Sequence, residues 1–156
     1  MSENMDEAKI QELKDEYIDH MMNPRNYGKI ENEDALGVGK NPFNNELVNL
    51  YLKVEGDTIK DIKFECIGCM STVVTGSIFT DMIVGETLQE AEDVALEFIK
   101  NLDNAPIEQR ACGEMVAKAY LAAYENLKHR REGKDEKEYV LEISSDCYPQ
   151  EGVESE

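Results

Sequence analysis

Three cysteines stand where a thiol can do chemistry. Cys66 and Cys69 form a C-x-x-C across the turn Cys66-Ile67-Gly68-Cys69, and Cys112 follows far along the chain beside Gly113. Ile62 to Cys66 alternates apolar and charged residues, the period of a half-buried strand, whereas Met70 to Ser77 is small and apolar with helical spacing. A strand therefore ends, the chain turns at Gly68, and a helix begins directly after Cys69. A thiol at that point meets the unpaired N–H groups and positive end of the helix, which favour the thiolate, the form that attacks electrophiles and binds metals. Cys112 reads the same way, at the start of a last helix that begins around Gly113. Cys66 shares strand parity with Ile62 and Phe64, so a buried small hydrophobe is an equal reading of it. Cys147 sits in a polar tail and reads as incidental.

Other chemistry is scarce. His20 and His129 fall at helix ends, where an imidazolium meets the helix dipole favourably, and the methionines read as core or interface filler. The sequence has no Gly-rich phosphate loop, no Ser-His-Asp arrangement and no H-E-x-x-H. A formal net charge of -18 with 32% charged residues repels nucleic acid and anionic membranes, so neither is an expected partner. The one basic run, Lys128-His129-Arg130-Arg131, serves to neutralise the carbonyl end of a helix. No apolar run reaches the length of a membrane span, and the first residues lack a secretory pattern, so a cytoplasmic location is expected. Four cysteines in a reducing compartment are ligands or reactive thiols before they are a disulfide framework.

The elements that must hold these thiols follow from hydrophobic period and turn chemistry. Residues 1–7 read as a frayed, flexible start. An amphipathic helix from Ala8, with Asp6 as its cap, carries Ile10, Leu13, Tyr17 and Ile18 and stops before Asn23-Pro24. Ala35 to Lys40 reads as a short edge strand. Glu46 to Val54 and Thr58 to Cys66 form an antiparallel hairpin about Glu55-Gly56-Asp57. Met70 to Val84 reads as a central buried helix ending at Gly85, and Thr87 with Glu90 makes a capping box for the next. Asn101 to Pro106 is a loop, and a last helix runs from around Gly113 to Arg131. A charged linker leads to Tyr139 to Ile143, strand-like in composition, and disorder is expected after Pro149. The fold class is α+β: a small antiparallel sheet of about three strands covered on one face by helices. The domain occupies residues 8–131, followed by the linker and tail over 132–156.

Tyr17-Ile18-Asp19-His20-Met21-Met22-Asn23-Pro24-Arg25-Asn26-Tyr27-Gly28 resembles the opening segment of the IscU, SufU and NifU N-terminal type of iron–sulfur cluster assembly scaffold, whose core is H-x-x-N-P-R-N-x-G. Lys63 to Cys69 is similar to that family's strand end with its Gly-Cys pair, and Gln109-Arg110-Ala111-Cys112 falls where its last ligand cysteine precedes a long helix. The resemblance covers about Tyr17 to Leu127. It implies a non-enzymatic scaffold or carrier that takes sulfur from a cysteine desulfurase, binds iron, builds a labile cluster, [2Fe–2S] in type, and passes it to acceptor apo-proteins, with a homodimer sharing one site as a further arrangement. The family's first cysteine lies in a P-x-C-G-D loop. Here Asn41-Pro42-Phe43-Asn44-Asn45-Glu46 has Asn44 in the place of the thiol and Glu46 in that of the aspartate, and Ala111 stands where a basic residue often precedes the last cysteine. The ligand set this leaves is Cys69, Cys112, Cys66 turned outward, and Glu46 as a harder fourth ligand.

Two other readings stay open on the residues alone. A dithiol redox or sulfur-relay protein would use Cys66 and Cys69. A regulatory relative would bind zinc through three thiolates and one other ligand, without cluster chemistry.

Overall fold

The structure, a computed structural model, describes residues 2–104 and 107–144. In chain order its elements are α1 (Ser2–Met22), β1 (Ala35–Lys40), β2 (Leu47–Glu55), β3 (Thr58–Ile67), α2 (Met70–Ile83), α3 (Leu88–Lys100), a 3-10 turn over Leu102–Asn104, α4 (Ile107–Arg131) and β4 (Tyr139–Glu142). The strands form one sheet in the order β3-β2-β1-β4. The class is α+β as expected, with one more strand than the hairpin pattern implies. β1 and β3 flank β2 antiparallel, but β4 lies parallel to β1. Because residues 139–142 take its free side, β1 is an interior strand and not the edge expected of it.

One face of the sheet carries the core. Ala35, Val48, Leu50, Leu52, Ile59, Ile62 and Phe64 are fully buried, and they pack with Phe79 and Ile83 of α2 and with Met115, Tyr120 and Ala123 of α4. α4 is the central helix. It lies directly on β1, where a Cβ added to Gly37 would stand 2.1 Å from Ala123 N and one added to Gly39 would stand 2.1 Å from Met115 O. Glycines facing an alanine-rich helix let the two backbones touch. α2, expected to be buried nearly all round, is one-sided: Phe79 and Ile83 face inward, while Met70 and Met82 are half exposed. Tertiary packing leaves its outer side to solvent although its composition is apolar. α3 has the expected capping box, with Glu90 N donating to Thr87 Oγ1 at 3.1 Å and Thr87 N to Glu90 Oε1 at 3.0 Å.

α1 begins well before Ala8, so Asp6 is inside the helix and is not its cap. Its apolar residues Ile10, Leu13 and Ile18 are exposed, because the helix meets the body only near its C-terminal end. There His20 is buried, and its Nδ1 lies 2.6 Å from Ser77 Oγ on α2, which also accepts from Arg25 N at 2.7 Å. Asn26 O and Gly28 N then pair with Phe64, covering the outer edge of β3. His20 is thus a buried clamp rather than a simple helix-end residue, and the segment Asn23-Pro24-Arg25-Asn26-Tyr27-Gly28 straps α2 to β3. Residues 145–156, including Cys147 and the stretch expected to be disordered, lie outside the described residues, as do Ala105 and Pro106. Among the described residues no helix is long and apolar enough to cross a membrane.

Candidate functional site

The sheet register brings one end of the molecule together. Lys40 pairs with Leu47, Leu47 with Ile67, and Lys40 also with Glu142, so these four residues form a single row across the sheet. Beyond the row lie the Asn41-to-Glu46 loop, the turn from Ile67 to Cys69, and the first turns of α2 and α4.

Cys69 is the N-cap residue of α2, as the change of hydrophobic period predicts, and its side chain is exposed. Its sulfur lies 4.0 Å from that of Cys112, so folding brings together two thiols far apart along the chain. Ligands at about 2.3 Å from one tetrahedral metal stand about 3.8 Å apart, and the observed separation fits a shared ion or cluster edge. Thr72 joins the pair: its buried hydroxyl donates to Cys112 Sγ at 3.2 Å and lies 3.8 Å from Cys69 Sγ.

Cys112 is placed differently from the sequence expectation. α4 starts at Ile107, so Cys112 stands more than a turn inside the helix, beyond the unpaired N–H groups that would favour its thiolate. It is 4% exposed, and burial pushes its thiol up to about 11, against the opposing pull of the Thr72 hydrogen bond. Burial also acts upward on Cys69. There the N–H and hydroxyl of Thr72, the N–H of Ser71 and the Cys112 thiol outweigh it and hold the group below the ordinary thiol range. The pair is one accessible, thiolate-prone sulfur beside one sequestered thiol.

Cys66 keeps the parity of Phe64 and packs half-buried against the core edge. Burial, then the charges of Cys69 and Glu46, raise its thiol, while the Tyr27 hydroxyl opposes them. It is therefore near the pair but turned inward. Glu46 closes the site from the loop: a Cβ on Gly68 would stand 3.6 Å from Glu46 Oε1 and 3.3 Å from Thr72 Oγ1, which puts the carboxyl group against the turn between the two cysteines. Asn44 uses its side-chain oxygen to accept from Glu46 N at 3.0 Å, so it shapes the loop. Ala111 is buried and offers no charge. Among the described residues no three His, Cys, Asp or Glu side chains are gathered as a metal site. The convergent groups are Cys69, Cys112 and Thr72, with Glu46 beside them.

Alkylation should follow this order. With limiting iodoacetamide near neutral pH, the three cysteines among the described residues will be modified first at Cys69, then at Cys66, and last at Cys112. Equal early labelling of Cys69 and Cys112 in peptide mass spectra would contradict the asymmetry.

Sequence reasoning missed Thr72. Its signal was the i, i+3 spacing from Cys69, which stacks the two over the first turn of α2.

Comparison with known proteins gives a consistent result. The family model for the NifU-like N terminal domain matches residues 12–134. An iron–sulfur cluster assembly scaffold protein IscU of Archaeoglobus fulgidus is 36% identical over 124 residues, covering 79% of this chain and 80% of the relative. The IscU scaffold of Azotobacter vinelandii is 33% identical over 121 residues, covering 75% and 94%. A crystal structure of a hypothetical protein, 24% identical, superposes with a TM-score of 0.53 over 74% of this chain and 93% of that one, and has the same fold.

Proposed function

The chain belongs to the NifU-like N-terminal family of iron–sulfur cluster assembly scaffolds, and from that premise we propose that it holds a nascent cluster between Cys69 and Cys112 and releases it to acceptor proteins. The observation that carries this reading is the 4.0 Å approach of the two sulfurs at an open end of the sheet. A structural zinc site would be closed by four firm ligands. Here one sulfur is exposed, the other is sheltered, and a carboxylate stands alongside, a set suited to a cargo that must arrive and leave.

The roles differ accordingly. Cys69, held toward the thiolate, is the sulfur that meets incoming reagents, and a cysteine desulfurase is the donor we assign to it. Cys112 gives up its proton only as iron binds. Glu46 supplies an oxygen ligand to one iron. Among the described residues Cys66 is the next thiol, reached by rotating the turn at Gly68. The cluster we assign is [2Fe–2S], the smallest that two thiolates and such neighbours can hold. The role is that of a carrier acting in the cytoplasm, not a catalyst. The dithiol alternative has less support, because the close sulfur contact joins Cys69 to Cys112 and not to its C-x-x-C partner.

Anaerobic reconstitution with ferrous iron and sulfide tests this. The expected product has visible absorption, about two irons and two labile sulfides per site, and loses its colour to an apo-ferredoxin. A colourless protein that retains neither iron nor sulfide would refute the reading. Unchanged iron and sulfide in Cys66→Ser would remove Cys66 from the ligand set.

A further inference from the structure

The two sulfurs of the site are served by different donors. Cys69, at the N-cap of α2, faces the N–H groups of Ser71 and Thr72. Cys112 stands more than a turn inside α4, where its own N–H and those that follow are spent on carbonyls four residues back. A donor to its sulfur must come from another element, and among the described residues Thr72 supplies one: its Oγ1 donates to Cys112 Sγ at 3.2 Å. Resting on the scaffold reading, we infer that Thr72 is a positioning residue of the site: its hydroxyl aims the Cys112 sulfur at Cys69, stays bonded to that sulfur when the pair holds metal, and so sets how tightly the cargo is kept.

α2 carries three threonines, and only the first is free to do this. Thr75 Oγ1 donates to Ser71 O and Thr80 Oγ1 to Gly76 O, each at 2.8 Å, the usual bond of a helical threonine to the carbonyl four residues back. For Thr72 the residue four back is Gly68, which precedes the helix, and the hydroxyl is instead directed across to α4. Thr72 is fully buried, and a branched side chain in a helix has few rotamers. The hydroxyl is therefore held in place, 3.2 Å from one sulfur and 3.8 Å from the other.

A hydroxyl has one proton to donate, so it serves one sulfur at a time. Once Cys112 binds metal its sulfur carries charge, and hydrogen bonds to ionised acceptors are about twice as strong as neutral ones. Loading the site therefore strengthens this bond, which favours retention. Valine at the same position would keep the branched shape but set a methyl group against a charged sulfur, in a place closed to water that offers no replacement donor. The bond also makes the pair lopsided. Cys112 is the held sulfur, and exposed Cys69 is the one that opens for transfer.

Cobalt(II) and zinc are the probes, added to the full-length, reduced, apo chain without oxygen. Thr72→Val, with Thr72→Ala as a smaller second variant, should bind zinc at least about tenfold more weakly, the usual cost of losing a ligand's outer hydrogen-bond partner. The thiolate-to-cobalt charge-transfer band should keep its intensity in both, since no ligand is lost. It should move to longer wavelength, since a sulfur without a hydrogen bond gives up its electrons more easily. Thr72→Ser retains the hydroxyl and should match wild type in affinity and band position, as should Thr75→Val, whose hydroxyl is spent on Ser71 O. Wild-type affinity and band position in Thr72→Val and Thr72→Ala, or the same losses in Thr72→Ser or Thr75→Val, overturn the inference. Weaker zinc binding with an unmoved cobalt band marks a packing role alone and overturns it as well. Should the cobalt shift follow the hydroxyl while iron and sulfide give no chromophore in the wild-type chain, the Thr72 assignment stands and the cluster reading falls. Should the cluster assemble while the cobalt band ignores the hydroxyl, the reverse holds.

Discussion

Serine at position 69 or position 112 will leave the protein folded and unable to retain iron and sulfide, with reconstituted content below about a tenth of wild type, because an alcohol stays protonated where a thiolate is required. Folding should survive both changes. Cys69 is an exposed N-cap, a position at which serine is preferred, so Cys69→Ser should be neutral or slightly stabilising. At residue 112 the serine hydroxyl can still accept from Thr72. Thermal unfolding of the apo variants should therefore lie within about 1 kcal/mol of wild type, separating lost ligation from lost structure. The pH dependence adds a sign. Cys112 is pushed up to about 11 by burial and is a thiol at neutral pH, so each metal that binds there must expel its proton. Affinity should rise as pH rises, by about tenfold per unit for each proton released. Cys112→Ser should flatten that slope by one proton in a zinc titration. A variant that keeps its cluster, or a wild-type affinity indifferent to pH, would break the assignment.

What could be read in the chain, and what could not, follows the range of the forces involved. The strand from Thr58 and the helix after Cys69 depend on local period, and the capping box at Thr87 and Glu90 on a three-residue spacing, so each was legible. Cys112 was misread because Gly113 resembles a helix start, while the true start at Ile107 follows Pro106, a residue common beside the first helical position. The lower-pKa thiol expected there is instead a buried one, set against Thr72 of α2, a tertiary contact that no local pattern reports. β4 had legible composition, but its parallel pairing to a strand about a hundred residues earlier is a tertiary fact. The Thr72 contact to two sulfurs was similarly hidden, because a threonine in a first helical turn reads as ordinary. Glu46 and Asn44 were singled out by resemblance, and the loop gives them different work: one carboxylate against Gly68, one amide shaping the turn.

Gly39→Val should be among the most damaging substitutions in the chain, although it raises local strand propensity. The new Cβ would stand 2.1 Å from Met115 O and 2.9 Å from Ala119 N, both backbone atoms of α4 that no rotamer change can move. Relief requires the helix to lift by more than about 1 Å, opening voids along the Met115, Ala119 and Ala123 contact. The propensity gain is at most about 1 kcal/mol, whereas overpacking against fixed backbone costs about 3 kcal/mol or more, so destabilisation wins. In a chain of this size that lowers the melting temperature by roughly 10 °C. The site should suffer with it. Cys112 lies one turn before Met115 on the lifted helix, so its sulfur moves away from Cys69, with which it now stands at 4.0 Å. Cobalt charge-transfer intensity measured well below the new melting temperature should fall as well, and Gly39→Ala should give a smaller loss of both in the same order. Wild-type melting and cobalt binding in Gly39→Val would mean that the close approach of α4 to β1 does not set the thiol pair.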